Sequence, residues 1–296
     1  MRARSSDRIR VPADPVKRGS ALRAGPSLFL MPLLDTPVRF GVQIQPQHTP
    51  YDGIRDAVRR LEDLGVDILF NWDHFFPLSG DPDGLHFESW TMLGAWAEQT
   101  ERVEFGALVN CNSYRNADLQ ADMARTIDHI SAKGGDTGRF IFGTGAGWFA
   151  RDYEEYGYEF GTPGSRLNDL AAGLERVEAR WAKLNPPPTR KIPVMIGGKG
   201  EQKTLRLVAR HADIWHSFVA PDEIAHKIDV IERWAEREER DTSNLVISNE
   251  VHGHGVEHAD ALYDAGARLI TFGFRGPDFD FDLVESWLRW RDGKNA

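Results

Sequence analysis

Asp73 and His74 stand side by side in the run Asp73-His74-Phe75-Phe76-Pro77, directly after the apolar stretch 66–71. An imidazole titrates near neutral pH, and an adjacent carboxylate can orient or charge it, so the pair suits a proton donor beside a reacting centre. The plain alternative is an Asp capping a turn beside a packed His; a place at a strand end favours the chemical reading. Further along, Asn110-Cys-Asn-Ser-Tyr-Arg-Asn116 joins an apolar strand pattern to a helical one. A connector that only had to turn would use Gly, Asp or Pro. Asn110, Asn112, Ser113, Tyr114, Arg115 and Asn116 therefore read as a ligand-facing loop rather than a capped surface loop.

Gly143-Thr-Gly-Ala-Gly147 resembles a dinucleotide loop only in its glycine content. Its spacing is G-x-G-x-G, and no acidic residue follows on a second strand at the expected distance. Two readings stay open: a tight turn, or a stretch where Gly145, Ala146 and Gly147 let backbone approach a flat ligand walled by Trp148 and Phe149. Ile196-Gly-Gly-Lys-Gly-Glu-Gln-Lys203 lacks the G-K-[ST] ending of a Walker loop. Backbone N–H groups of Gly197 and Gly198 at a helix N-terminus, with Lys199 beside them, would still seat a phosphate; the alternative is a glycine turn with solvated lysines. His252-Gly-His-Gly-Val-Glu-His258 crowds three histidines at the end of a strand without a defined ligand geometry. No metal site is expected there, and His252 alone is assigned to the pocket. Ser217 and Cys111 lack base and orienter partners, which disfavours nucleophilic catalysis.

Positioning these residues falls to an alternation of short apolar strands and helices from Val38 onward. Strand patterns cover 39–44, 66–71, 103–109, 140–143, 192–196, 213–217, 245–250 and 269–271. Helical patterns cover 52–64, 88–99, 117–132, 166–184, 201–210, 222–240, 257–265 and 281–291. Eight βα units in a row predict an α/β fold of the closed (β/α)8 TIM barrel type, with polar residues gathered at the strands' carboxyl ends, where barrel enzymes assemble their sites. An open doubly wound sheet is the rival, but it calls for a first-turn glycine fingerprint where this chain has Gln43, Gln45, Gln47 and His48.

Composition narrows the partners. A net charge of −9 over 296 residues argues against nucleic acid, and a single cysteine, Cys111, precludes an internal disulfide and suits the cytoplasm. Polar residues interrupt every apolar run before the roughly 18 residues a membrane span needs. Residues 1–36 differ from the rest: Arg2, Arg4, Arg8, Arg10, Lys17, Arg18 and Arg23 accompany Pro12, Pro15 and Pro26 with no usable period. They read as a disordered leader or a misassigned start upstream of Met31, leaving residues 37–296 as one barrel domain. The expected partner is a small-molecule substrate, with a homodimer left open.

Four segments also carry a family likeness: the Asp73-His74-Phe75 strand end, the run from Cys111 to Asn116, Gly145-Ala-Gly-Trp-Phe149 leading to Tyr153 and Tyr156, and Met195-Ile-Gly-Gly198 followed by Lys203-Thr-Leu-Arg-Leu207. Over about residues 38–275 the chain resembles the bacterial-luciferase-like superfamily, and within it the actinobacterial branch that uses the deazaflavin coenzyme F420. The resemblance implies a flavin-like ring lying across strand ends two, three and four. Asp73 and His74 would touch it, with His74 near the reacting carbon. A non-prolyl cis peptide at Leu108–Val109 would back the ring, and Gly197 and Gly198 would seat the coenzyme phosphate. Two departures matter: the stretch between Glu175 and Lys191 is shorter than in many relatives, which should leave the pocket mouth more open, and sugar-phosphate dehydrogenases of this branch carry a catalytic Glu directly after the strand-four glycines, where this chain has Trp148. That substrate class is disfavoured.

The resulting expectation is a cytoplasmic oxidoreductase that moves a hydride between F420 and a small organic substrate, with His74 as the catalytic proton-transfer group. Coenzyme contacts are expected from Asp73, Leu108, Val109, Asn110, Asn112, Tyr114, Gly145, Ala146, Gly147, Gly197, Gly198 and Lys199. Trp72, Trp148, Phe149, Tyr153 and His252 are expected to line the substrate cavity. The rivals are an FMN-dependent monooxygenase on the same fold and an F420-binding protein without turnover.

Overall fold

The computed structural model describes residues 36–135, 137–251 and 255–296. The basic leader up to residue 35, and His252 with its assignment to the pocket, lie outside the described residues. In chain order the elements are β1 (Arg39–Ile44), α1 (Tyr51–Leu64), β2 (Ile68–Asn71), α2 (Ser89–Gln99), β3 (Glu104–Ala107), β4 (Asn110–Cys111), α3 (Ala117–Ala132), β5 (Phe140–Gly145), α4 (Ala150–Tyr156), α5 (Pro163–Trp181), β6 (Val194–Gly197), α6 (Thr204–His211), β7 (Ile214–Ser217), α7 (Pro221–Arg237), β8 (Val246–Glu250), α8 (Ala259–Asp264), β9 (Leu269–Phe274) and α9 (Phe281–Asn295). Neighbouring strands pair in parallel in the order β3-β2-β1-β9-β8-β7-β6-β5-β4, and a β3–β5 pairing closes the ring. Because β3 and β4 are two pieces of one barrel strand, the result is the eight-stranded (β/α)8 barrel that the alternation predicts.

The helices sit where their apolar stripes place them. In α1 the buried residues Ile54, Ala57, Val58 and Leu61 recur three or four apart, so one face packs on the strands while charged residues face water. Gly65, at φ 95°, ends that helix in the left-handed conformation that glycine adopts without strain. Between helices and strands lies a large core that includes Phe40, Trp96, Phe140, Trp215, Phe272 and Trp287. Each such buried aromatic contributes on the order of 1.5–3 kcal/mol by leaving water. Inside the ring a smaller cluster of Ile68, Phe70, Leu108, Ile141, Met195, Ile214 and Leu269 plugs the barrel. No helix among the described residues is long and apolar enough to cross a membrane.

Strand three departs from its expected unbroken span. Phe105 and Ala107 pack outward among the helices, whereas Leu108 and Val109 both belong with the inner cluster, and the peptide between them is cis. Two consecutive inward residues invert the alternation of a strand, so the next residue, Asn110, turns outward. Helix α6 begins at Thr204 instead of 201, because residues 201–203 extend the glycine loop as a turn. The short α4 was not expected at all.

Candidate functional site

His74 leaves the carboxyl end of β2 and is buried in the wall of the barrel mouth. Its Nδ1 lies 2.7 Å from Oδ2 of Asp152, which α4 delivers from the far side of β5. Asp152 is 0% exposed and keeps three donors: His74, the Tyr114 hydroxyl at 2.7 Å on the same oxygen, and the Phe75 N–H at 3.0 Å on Oδ1. A buried carboxylate is tolerable only when so satisfied. His74 Nε2 has no hydrogen-bond partner among the described residues. Around the imidazole stand Trp72, Trp148 and Phe149, at ring-centroid distances of 6.3, 5.7 and 5.5 Å and steep angles. Trp148 is 63% exposed, so the ring reaches the open mouth. Trp72 donates its indole N–H to His86 Nε2 at 3.0 Å, and burial followed by the nearby His74 holds the His86 imidazole down at about 4. His86 is thus a neutral acceptor near pH 7.

Asp73 does something other than touch a ring. Its carboxylate accepts from Arg115 Nη1 at 2.7 Å, from Arg115 Nη2 at 2.9 Å and from the Cys111 N–H at 3.0 Å. Burial raises this carboxyl above the usual carboxylate range while Arg115 pulls it down. Arg115 also pairs with Glu88 at 2.6 Å, and Glu88 caps α2. The expected ring contact through the Asp73 carboxylate is replaced by an ion pair that fixes strand ends two and three to each other.

The polar loop after strand three is likewise turned inward on the protein. Asn110 accepts from Trp90 Nε1 at 2.6 Å and donates to Gln120, so its side chain points into the helix layer. Asn112 packs against Gly173 of α5, where a Cβ would overlap its side-chain oxygen. Asn116 caps α3 through the N–H groups of Asp118 and Leu119. Tyr114 is committed to Asp152, and Tyr153 is fully buried with its hydroxyl 3.3 Å from the Cys111 sulfur. The side chains of Asn110 and Tyr114 are thus committed to protein partners, and the Tyr153 ring is fully buried. Their amide and phenol groups build the wall instead.

What does face the mouth is largely free of side chains. A Cβ at Gly145 would lie 2.8 Å from Val109 Cγ2, and one at Gly197 would lie 3.2 Å from Val109 Cγ1. Val109 thus rests against the glycine backbones of the two neighbouring strands β5 and β6, with Gln43 Nε2 donating to the Leu108 carbonyl at 2.6 Å. Ala146 sits beside Gly147, whose φ of 79° brings its backbone against Tyr153 and Cys111. The arrangement offers a flat ligand a methyl floor and bare backbone on two sides, which fits a flavin-type ring. Gly198, at φ 124°, donates its N–H to the His216 carbonyl and accepts from Trp215 Nε1 at 2.8 Å, holding the loop before α6 in place. Lys199 stands exposed on that loop.

On the opposite wall His216 is buried, with Nδ1 2.9 Å from the Ser248 hydroxyl. Desolvation lowers this imidazole to about 3, so it is neutral. Cys111, pushed up to about 11 by burial, is a thiol and not a nucleophile. Among the described residues no group of three or more His, Cys, Asp or Glu side chains could hold a metal ion.

Comparison with known proteins agrees with the barrel fold. Residues 34–273 match the model of the luciferase-like monooxygenase family. An uncharacterized protein of Mycobacterium tuberculosis, Rv0953c, is 28% identical over 162 residues, 47% of this chain and 55% of its own length. The chain thus spans about half the length of that relative. Rv3520c of the same species, provisionally named a coenzyme F420-dependent oxidoreductase, is 25% identical over 196 residues, 54% of this chain and 49% of its own. Among solved structures, an F420-dependent secondary alcohol dehydrogenase in complex with an F420–acetone adduct superposes at TM-score 0.75 and 15% identity, covering 88% of this chain and 100% of that one. The monooxygenase RslO1 from Streptomyces bottropensis superposes at TM-score 0.65 and 13% identity, covering 86% and 98%. Identities this low carry the fold.

Proposed function

The chain belongs to the luciferase-like monooxygenase family, and from that membership we propose that it is an F420-dependent oxidoreductase acting on a small organic substrate. The observation that carries the reading is His74: Nδ1 held from behind by Asp152, Nε2 without a hydrogen-bond partner among the described residues, and the ring beside the exposed Trp148. When bound, the deazaflavin supplies hydride transfer at its reactive carbon. The protein's part is to hold a flat ring against Val109 and the backbone of Gly145 and Gly197, to seat a phosphate on N–H groups of the 197–200 loop other than that of Gly198, which is bonded to the His216 carbonyl, and to exchange a proton at His74 Nε2. The likeness to the F420-dependent alcohol dehydrogenase supports F420 and a carbonyl or alcohol substrate. The reading extends to a cytoplasmic protein.

A second reading, an FMN-dependent monooxygenase, draws on the family's name and on the RslO1 likeness. Incubation of the protein with reduced F420 and a panel of ketones, enones and imines separates the two. Substrate-dependent return of the F420 absorbance supports the proposal. Oxygen consumption with reduced FMN, and none of that return, supports the second reading. Binding of F420 without turnover on any substrate points to a coenzyme-binding protein.

A further inference from the structure

Sequence reasoning singled out one carboxylate beside His74, its neighbour Asp73, yet the structure engages a different one. We infer that Asp152 is the positioning residue of the site: it fixes the proton of the neutral His74 ring on Nδ1 and leaves the Nε2 lone pair turned to the bound substrate. A carboxylate only accepts, so the nitrogen 2.7 Å from Asp152 Oδ2 carries the hydrogen. Tyr114, which donates to the same oxygen, and the Phe75 N–H, which donates to the other, lock the carboxylate plane. Neutral His74 is then a base at Nε2. Once protonated there, it is an acid whose charge Asp152 balances at short range inside a dry wall. The step this serves is balanced in either direction. A substrate hydroxyl gives its proton to Nε2 as its carbon loses a hydride to the oxidised coenzyme, or a carbonyl oxygen takes the Nε2 proton as its carbon gains a hydride from the reduced one.

Asp152→Asn tests this on the ligand-free protein. The Phe75 N–H selects the amide oxygen, which places the amide NH2 where Oδ2 was, facing His74 Nδ1 and the Tyr114 oxygen. An NH2 group only donates, so His74 Nδ1 must become an acceptor and its proton moves to Nε2. Nitrogen-15 NMR of the imidazole, above its titration range, should show Nδ1–H in the parent and Nε2–H in Asp152→Asn. Nε2–H in the parent, or an unchanged tautomer in the variant, would overturn the inference. Should Asp152→Asn not fold, the parent spectrum decides alone. The kinetic arm rests on the proposed function: turnover should fall at least about a hundredfold in Asp152→Asn with coenzyme affinity within threefold of the parent. Tyr114→Phe, which keeps the carboxylate as acceptor, should keep Nδ1–H. Equal turnover in the parent and Asp152→Asn would likewise contradict it. A parent that binds no coenzyme removes the proposed function while the NMR result stands.

Discussion

Arg115 grips Asp73 with two nitrogens, Nη1 2.7 Å from Oδ2 and Nη2 2.9 Å from Oδ1, so the loop after strand three is fastened to the end of strand two. Both side chains are shielded from water, with Asp73 at 0% side-chain exposure and Arg115 at 12%. Removing one partner of such a pair leaves an uncompensated buried charge, which costs roughly 3–5 kcal/mol. Arg115→Met is therefore expected to lower the unfolding free energy read from urea titration by that amount and to weaken coenzyme binding through the displaced loop. A variant as stable as the parent would show that Asp73 is protonated and the pair is not an ion pair.

Acid sensitivity should trace in part to His216. Its folded-state value of about 3 lies below the ordinary 6.5, so the unfolded chain takes up a proton that the folded chain refuses. Stability from this group is complete above pH 6.5 and is lost as pH falls toward 3, at up to about 1.4 kcal/mol per pH unit. Urea midpoints across that range should fall more steeply for the parent than for His216→Gln, by the equivalent of one proton. Parallel curves would place the acid sensitivity elsewhere, with His86 the next group to examine.

Tyr153→Phe should leave turnover unchanged. The hydroxyl lies 3.3 Å from the Cys111 sulfur and 3.5 Å from the Ala146 carbonyl, with the Ser113 side chain also bonding to it, and the ring is fully buried. A stability change within about 1 kcal/mol is expected. A tenfold rise in KM would restore Tyr153 to the substrate cavity.

The order of elements was legible because the barrel's alternation is written in local hydrophobic periodicity, and the cis peptide at Leu108–Val109 followed from family resemblance. The roles of the loop residues were not. Alternation through strand three could not show that Leu108 and Val109 both face inward, and that inversion is what sends Asn110 outward to Trp90 and Gln120. Asp152 escaped notice for two reasons. It lies on a seven-residue helix too short to show a period, and its partner His74 is 78 positions away in sequence. An Asp in a Trp-Phe-Ala-Arg-Asp-Tyr run looks like surface charge until the fold carries it under the imidazole.

The phosphate seat is best probed at Gly200. Gly198 has φ 124°, so any side chain there strains the backbone before its charge matters, whereas a Cβ at Gly200 meets only the Thr204 hydroxyl at 3.2 Å. Gly200→Asp places a carboxylate beside the loop's N–H groups and Lys199. Coenzyme affinity is expected to fall at least about tenfold, or 1.4 kcal/mol, with an unchanged circular dichroism spectrum. Unchanged affinity would move the phosphate to the loops after the last two strands.

The central claim is that this barrel mouth takes a deazaflavin. Fluorescence titration of the purified protein with F420, followed by competition with FMN, reads it directly, because one cavity must choose between two flat rings of similar size. Saturable quenching of F420 is expected, reversed by FMN only at a concentration at least about tenfold higher than F420 itself needs, equivalent to 1.4 kcal/mol in favour of F420. FMN binding more tightly than F420, or F420 fluorescence unmoved by the protein, would contradict it.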